Sequence, residues 1–594
     1  MAVPPVSFQY GELPTESGYI RMLRLEWRPG ESSPHGKLKT WPLDNMPSLY
    51  DALSYAWGDP LPTFPFLCEG ALLEISSNLN LALHRLVSPG DSPRYLWIDQ
   101  ICINQNDTKE RSNQVKLMHL IYGGAENVPV WLGEAPKDMD LALELMPSIQ
   151  NALSNVDKAI LVTQAIFESH GLPAVSSPVW STIATIFRST WFERLWTVQE
   201  VVLGRNLKFQ MGVYLLDWDL LSSLASCLSK ANLSFHMRGE VAIPKDRVDG
   251  FIAIQQINRL RQTKTQFGSI SRISLLNVAR TRECTQAVDR IYALAGLLTK
   301  DFQEHCLPVD YESSIQAVFV NYFKLLTQSD TTHWLLNSSC SRNDKLGLPS
   351  WCPNICQPSA ADTLGQVALV CGYRAGYRTF SANSISMQVV QNSNNILVQG
   401  LSIDTVAKVV SLEQPYLGSV DLNSAQQALD WEAECLKVAQ EVFDMPNGVP
   451  EEHWRTLIAS KIHKALPCES DHTIGYNGMK KVLEMTKNPA ISFPKVEGCA
   501  AATQIFMEAA MLACTGRRYF STKNGRVGLG PPGMAQGDLV CVFLSGPTPS
   551  IIHQSELNSN YKFLGEGYVH GLMNSEALDM MEQGLVNIET FELE

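Results

Sequence analysis

One stretch constrains the fold more than any other: Tyr95 to Gly133, YLWIDQICINQNDTKERSNQVKLMHLIYGGAENVPVWLG. Tyr95–Ile98 is a short apolar run of β-formers, which predicts a buried strand. Asp107–Ala125 places Val115, Met118, Ile121, Tyr122 and Ala125 at helical spacing, with charged residues clustered near its start. Val128–Leu132 is apolar again and stops at Gly133. Strand, helix, strand in this length is a βαβ unit, whose two strands normally lie parallel with a right-handed crossover. Asp99 then follows the first strand directly, at the edge where ligands bind in open α/β sheets. A carboxylate there is a candidate for function, and equally a good turn or cap residue.

The chain has 594 residues, which exceeds what one core supports and predicts two to four domains. A net charge of −13 opposes general nucleic-acid binding, which needs a basic face. No apolar run has the length of a membrane span, and MAVPPVSFQYGELP lacks the basic and apolar regions of a signal peptide. The 14 cysteines are scattered; Cys352 and Cys356 are the one tight pair, and no second pair or histidine cluster completes a zinc site. The expectation is a cytoplasmic protein with reduced thiols, no metal and no cofactor.

Read in order, Ile20–Trp27 alternates as a strand. Tyr50–Pro60, YDALSYAWGDP, starts as a strand and turns at Gly58, Asp59 and Pro60. Phe66–Ile75 reads as a hairpin, and Ser76 or Ser77 caps a helix running to about Val87. Lys137–His170 is weakly patterned helix, expected as an insertion packed outside. Pro178 opens another helix, Leu195–Leu203 carries Val198, Val201 and Val202 on a helix, and Leu207–Met211 is a further strand. Tyr50–Tyr55, Tyr95–Ile98 and Val128–Leu132 are expected as neighbouring parallel strands. Repeated alternation predicts an α/β domain over residues 1–215 with a mainly parallel sheet flanked by helices. Residues 216–345 read mainly helical, and residues 346–594 as a mixed α+β region with a β-rich end. DRIYALAGLL, within 289–298, is expected as a buried helix coupling the first domain to the rest. Arg517, Arg518, Lys523 and Arg526 read as a small basic patch, either a solvated face or a docking surface.

Several of these stretches together resemble a known family. YDALSYAWGD, LWIDQICINQND, VPVWLG and WFERLWTVQEVVLG are similar to the HET (heterokaryon incompatibility) domain of filamentous fungi. DRIYALAGLL, VDYESS, LPSW and the terminal RRYF to GYVHG region resemble the usual remainder of such proteins. The resemblance implies a role in allorecognition, in which fusion of unlike hyphae triggers growth arrest and cell death. It also implies a TIR-like fold, because HET domains are similar to TIR domains, some of which cleave NAD. Under that resemblance Ser54 and Tyr55 match the serine–aromatic pair ending the first TIR strand, and Asp99 the acid ending the second. Trp196 and Glu200 match the spacing of the catalytic helix, with Ser189 before them and Thr197 where TIR domains usually carry cysteine.

The chemistry fits a single carboxylate. Nicotinamide leaves NAD as a neutral molecule, so no acid is needed, and a carboxylate that stabilises the oxocarbenium-like sugar suffices. Glu200 and Asp99 are the candidate catalytic residues. Ser54, Tyr55, Trp57, Gly58, Asn104, Arg111, Trp191, Arg194 and Trp196 are candidates for substrate binding. Each has a plainer alternative. Glu200 can pair with Arg194 or Arg205 or lie exposed. Asp99 can cap its loop through Asn104. The tryptophans can pack in the core, and the arginines can form structural ion pairs. No glycine-rich phosphate loop is present. NAD is thus expected as a substrate rather than a cofactor, and protein partners or self-association are expected beside a nucleotide or other small-molecule ligand. A non-catalytic self-associating module and a small-molecule biosynthetic enzyme reusing the fold stay open as alternatives.

Overall fold

The computed structural model describes residues 6–14, 18–46, 49–156, 162–237, 249–298, 309–327, 333–339, 345–357, 364, 373–378, 387–411, 422–460, 469–487 and 499–594. They form two compact units, residues 1–314 and 315–594. No helix among the described residues is long and apolar enough to cross a membrane.

The first unit is built on a ten-stranded sheet: β1 (Tyr19–Glu26), β2 (His35–Pro42), β3 (Asp51–Ala52), β4 (Ser54–Tyr55), β5 (Thr63–Cys68), β6 (Ala71–Ser76), β7 (Arg94–Trp97), β8 (Asn127–Trp131), β9 (Asn206–Met211) and β10 (Tyr214–Leu216). Its order is β10-β9-β8-β3-β7-β1-β2-β5-β6, with β4 continuing β3 along β8. The expected neighbours are present: β3 lies parallel between β7 and β8. The two strands of the central βαβ unit are therefore parallel but not adjacent, because the Tyr50–Tyr55 segment occupies the place between them.

The sheet as a whole is mixed, which corrects the expectation of a mainly parallel one. Parallel pairing holds from β7 through β3 and β8 to β9. Outside that block β1 pairs antiparallel with β7 and β2, β5 with β6, and β10 with β9. The reason is connectivity. Short turns such as Glu69-Gly70 can only return a strand antiparallel to its predecessor, whereas parallel neighbours need long crossovers.

The helices follow their caps. Ser76 Oγ accepts from Leu79 N and opens Ser77–Leu86. Asp107 Oδ1 accepts from the amides of Lys109 and Glu110 and opens Thr108–Gly124. Trp196–Leu203 packs against β4 and against the helices Thr108–Gly124, Gly250–Phe267 and Asp289–Ala295. The last of these is the DRIYALAGLL helix; Ile291 and Leu294 are buried as its spacing predicts. Met139–Leu153, in the segment expected as a helical insertion packed outside, is a helix that packs on other helices. Met139, Ala142, Met146, Ile149 and Leu153 bury one helix face against Pro178–Phe187 and Trp218–Lys230.

In the second unit the strand Ile396–Val409 is the hub. It pairs with Leu539–Phe543 on one side and Ile588–Leu593 on the other, and the strands Ser550–Gln554 and Tyr561–Glu566 close the ring between them. Two register shifts, after Ser402 and after Val406, bend the hub so that its far end also pairs with Arg518–Thr522. Leu401, Val406, Phe520, Val540, Val542 and Ile551 share the core this encloses. The expected basic patch is not a patch. Arg517 is buried against Glu566 at 3.2 Å, Arg518 donates to the Val410 carbonyl at 2.8 Å, and Arg526 pairs with Asp404 at 3.0 Å. Lys523 alone of the four is exposed, and turn-rich sequence hid the buried acids that Arg517 and Arg526 meet.

Candidate functional site

The carboxyl ends of β4 and β7 bring the two candidate carboxylates to one edge of the sheet. β4 is a two-residue strand, and it delivers Ser54 fully buried beneath the Trp196–Leu203 helix. There Ser54 Oγ donates to Glu200 Oε2, and the indole N–H of Trp191 donates to Ser54 Oγ at 2.8 Å. Trp191 reaches this point from a 3-10 turn, Thr190–Glu193, opened by Ser189, whose hydroxyl is tied to the Leu132 carbonyl at 2.9 Å. The result is one directed chain: indole N–H to hydroxyl, hydroxyl to carboxylate. Among the described residues no hydrogen bond engages the other carboxylate oxygen of Glu200.

Glu200 is 3 % exposed. Burial pushes its carboxyl up to about 7, against the charge of Arg194 and the Ser54 hydrogen bond, which favour the ionised form; the nearby Asp99 charge pushes the same way as burial. Neither expected ion pair forms. Arg194 Nη1 donates instead to the Tyr55 carbonyl and acts on Glu200 through its field, and Arg205 is exposed.

Asp99 opens the short helix Asp99–Cys102. Trp57 Nε1 donates to its Oδ2 at 2.8 Å and the Gln100 amide to its Oδ1 at 2.7 Å. Burial raises its pKa, opposed by the Arg194 charge and these hydrogen bonds. Tyr55 is 2 % exposed, its hydroxyl bonded to Gln100 Oε1 at 3.3 Å, and burial together with the Asp99 charge pushes its phenol well up. Gly58 turns the chain after Trp57 with φ +73°, a conformation that suits glycine.

Seven of the expected residues therefore converge directly: Ser54, Tyr55, Trp57, Asp99, Trp191, Arg194 and Glu200. Gly58 shapes the adjoining turn. Three do not converge. The Asn104 backbone N–H donates to Glu110 Oε1 at 2.7 Å and its side-chain Oδ1 accepts from Asn106 N at 3.2 Å, rather than capping Asp99; Gln105 Nε2 donates to the Asp99 carbonyl instead at 2.9 Å. Trp196 turns away from Glu200 and donates to Asp289 Oδ2 at 3.3 Å. Arg111 lies 4.5 Å over the Tyr311 ring, and Tyr311 in turn donates to Asp289 at 2.7 Å. Arg111 and Arg194 thus belong to different clusters. Two contributors were not expected at the site: Tyr122, whose hydroxyl pins the Leu53 carbonyl between β3 and β4 at 2.9 Å, and Gln100. Tyr122 is legible as a buried helix position, but spacing alone does not aim its hydroxyl at the kink.

Residues 50–200, which begin at Tyr50 just before β3 and end on Glu200, match the family model described as Heterokaryon incompatibility protein (HET). Residues 472–584 match the Het-6 beta-barrel domain. These matches support a heterokaryon incompatibility protein. Along its length the chain is also similar to Heterokaryon incompatibility protein 6, OR allele, of Neurospora crassa, with 24 % identity across 92 % of each chain. No solved structure gives a significant match.

Proposed function

We propose that this chain is a fungal heterokaryon incompatibility effector whose N-terminal unit hydrolyses NAD, with Glu200 as the working carboxylate and cell death as the consequence. What carries this reading is the convergence of Glu200 and Asp99 at the carboxyl edge of the parallel strands, each fixed by a donor and each held above its ordinary pKa. In the reaction the bond between nicotinamide N1 and ribose C1′ breaks, the pair leaves with nicotinamide, and water supplies the new C1′–O bond and releases a proton. Glu200, ionised as pH rises above about 7, offers its unengaged oxygen to the positive charge that develops on the sugar. Asp99 orients ribose hydroxyls, and Trp57, already anchored to Asp99, offers an indole face to a base or nicotinamide ring. The similarity of the described regions to the incompatibility family supports the biological setting. The expected cytoplasmic location belongs to the same proposal.

The test is nicotinamide release from NAD by the purified full chain, with and without a crowding agent, because self-association is part of the expected behaviour. Glu200→Gln is expected to keep the fold and to lower turnover by about 10²–10³-fold, and to abolish cell death on overexpression. Wild-type cleavage and toxicity in that variant would sink the assignment.

A further inference from the structure

A buried arginine outside the matched region is hydrogen-bonded to the turn that carries Trp191. Arg282 is 1 % exposed and, among the described residues, no carboxylate pairs with it. Its two terminal nitrogens go to main-chain carbonyls: Nη1 to Phe192 at 2.6 Å and Nη2 to Ala253 at 3.1 Å. Phe192 is the residue after Trp191, inside the Thr190–Glu193 turn; Ala253 is in the first turn of the helix Gly250–Phe267. The next residue completes the grip. Glu283 N donates to the Glu193 carbonyl at 2.7 Å, and Leu195 N donates to the Glu283 carbonyl at 2.8 Å, so Arg194 and Glu283 sit opposite each other in a parallel bridge. The segment is itself anchored, since Arg290 Nη1 donates to the Arg282 carbonyl at 3.0 Å. Further along, Arg261 holds the Gly204 carbonyl at 3.0 Å, beyond the end of the Glu200 helix, and Gln199 Oε1 accepts from Gly296 N at 3.2 Å.

An uncompensated buried guanidinium is a costly way to fill space, and apolar residues of similar size often stabilise as well or better. What an arginine does that an apolar residue cannot is fix two carbonyls in one plane at once. Here those carbonyls tie the Trp191 turn to the Gly250–Phe267 helix.

We propose that Arg282 is a positioning residue for the Ser54–Glu200 pair: it sets the Trp191–Arg194 turn, and so the functional unit includes the helices between residues 249 and 296. The inference rests on Glu200 being the working carboxylate, but its geometry is testable without turnover. If the turn drifts, Trp191 loses Ser54, Ser54 is no longer held toward Glu200, and the carboxylate loses a donor that favours its ionised form.

The experiment compares Arg282→Met and Arg282→Lys in the full chain. Thermal melting from pH 4.5 to 8.5, read as the difference between each background and the same background carrying Glu200→Gln, gives the pH at which Glu200 loses its proton. The pH profile, kcat and KM of nicotinamide release are measured in parallel. Arg282→Met is expected to melt within a few degrees of wild type, to move the Glu200 midpoint upward by half a unit or more, and to lower kcat at least tenfold with KM changed less than twofold. Arg282→Lys, which keeps the charge without the planar fork, is expected to fall between. An unchanged midpoint and unchanged kcat in a folded Arg282→Met protein overturn the proposal. Failure of both variants to fold also overturns it, since Arg282 is then a stability residue. Absence of NAD cleavage in the wild type defeats the proposed function alone, because the midpoint comparison still decides whether Arg282 positions Glu200.

Discussion

At the residue scale, the buried carboxyl of Glu200 links stability to pH. Its pKa is about 7 in the folded chain against an ordinary 4.5. A raised folded-state value means that the folded protein holds this proton more tightly than the unfolded one. The contribution is therefore fully present below about pH 4.5 and is lost as pH rises through about 7. Glu200 alone should make the wild type about 3 kcal/mol less stable at pH 8 than at pH 4.5, and Glu200→Gln should remove that slope. Urea unfolding of both proteins at the two pH values checks this; parallel curves would show that the carboxyl is not buried as described. Ser54→Ala should cost about 1–3 kcal/mol, because the Trp191 indole N–H is left buried without its acceptor. That loss should be larger at pH 8 than at pH 5, because the missing hydroxyl also served the ionised Glu200. Four of the seven converging residues named from the sequence sit on or just after a strand of the parallel block, Ser54, Tyr55, Trp57 and Asp99; the other three, Trp191, Arg194 and Glu200, come from the 3-10 turn and helix that follow. Spacing on a helix was a weaker guide. Trp196 and Glu200 are four residues apart and share a side, yet a side chain at the first helical position leans outward past the N-terminus, and Trp196 meets Asp289. Arg282 was not legible, since its partners are 90 and 29 residues away and no motif surrounds it.

At the element scale, close approach of backbones decides how the helices seat. Gly250 opens its helix against the end of Pro178–Phe187, where an added Cβ would stand 2.0 Å from the Phe187 carbonyl oxygen. Main chain cannot yield as a side chain tip would, so Gly250→Ala should force the helix outward at a cost of about 1–3 kcal/mol. The shift would also disturb the stacked Phe187–Phe251 pair, whose ring centroids are 4.2 Å apart. A lowered urea midpoint with an unchanged slope is the expected result; a neutral substitution would mean the two helices are not this close. Strand existence was readable from apolar content, although β1 does not alternate as expected: Ile20, Met22, Leu23 and Leu25 are fully buried and Arg21 is buried between them, so both faces of the strand are covered. Strand order was not. The pattern of Tyr95–Ile98 and Val128–Leu132 is the same whether they pair directly or flank β3, and only long-range contacts place β3 between them. The mixed character of the sheet escaped for a related reason: pairing direction is set by which strands meet across the sheet, as where β1 meets β7 antiparallel with Leu23 opposite Leu96, and no local pattern records it.

At the scale of the whole molecule, the question is how much chain the N-terminal site needs. Strand–helix alternation stops near residue 215, and the matched HET region stops at residue 200. Contacts nonetheless group residues 1–314 as one unit. The helix that bears Glu200 has one side on β4 and another on Gly250–Phe267 and Asp289–Ala295. Removing everything after residue 215 would take away Arg261, Arg282 and Asp289, with the hydrogen bonds they make to the Trp191 turn, the end of the helix and Trp196. It would also bare apolar side chains now sealed by those helices, Phe187 and Phe192 among them, and burial of each such side chain is worth about 1.5–3 kcal/mol. Several such losses together approach the total stability of an ordinary domain, about 5–15 kcal/mol. A fragment of residues 1–215 should therefore lack a cooperative melt and bind a hydrophobic dye, while a fragment of residues 1–314 should melt cooperatively and retain the Glu200-dependent pH slope. Calorimetry and limited proteolysis of the two fragments separate these outcomes. If residues 1–215 melt as sharply and as high as residues 1–314, the helices between 249 and 296 are an accessory to the site rather than part of it.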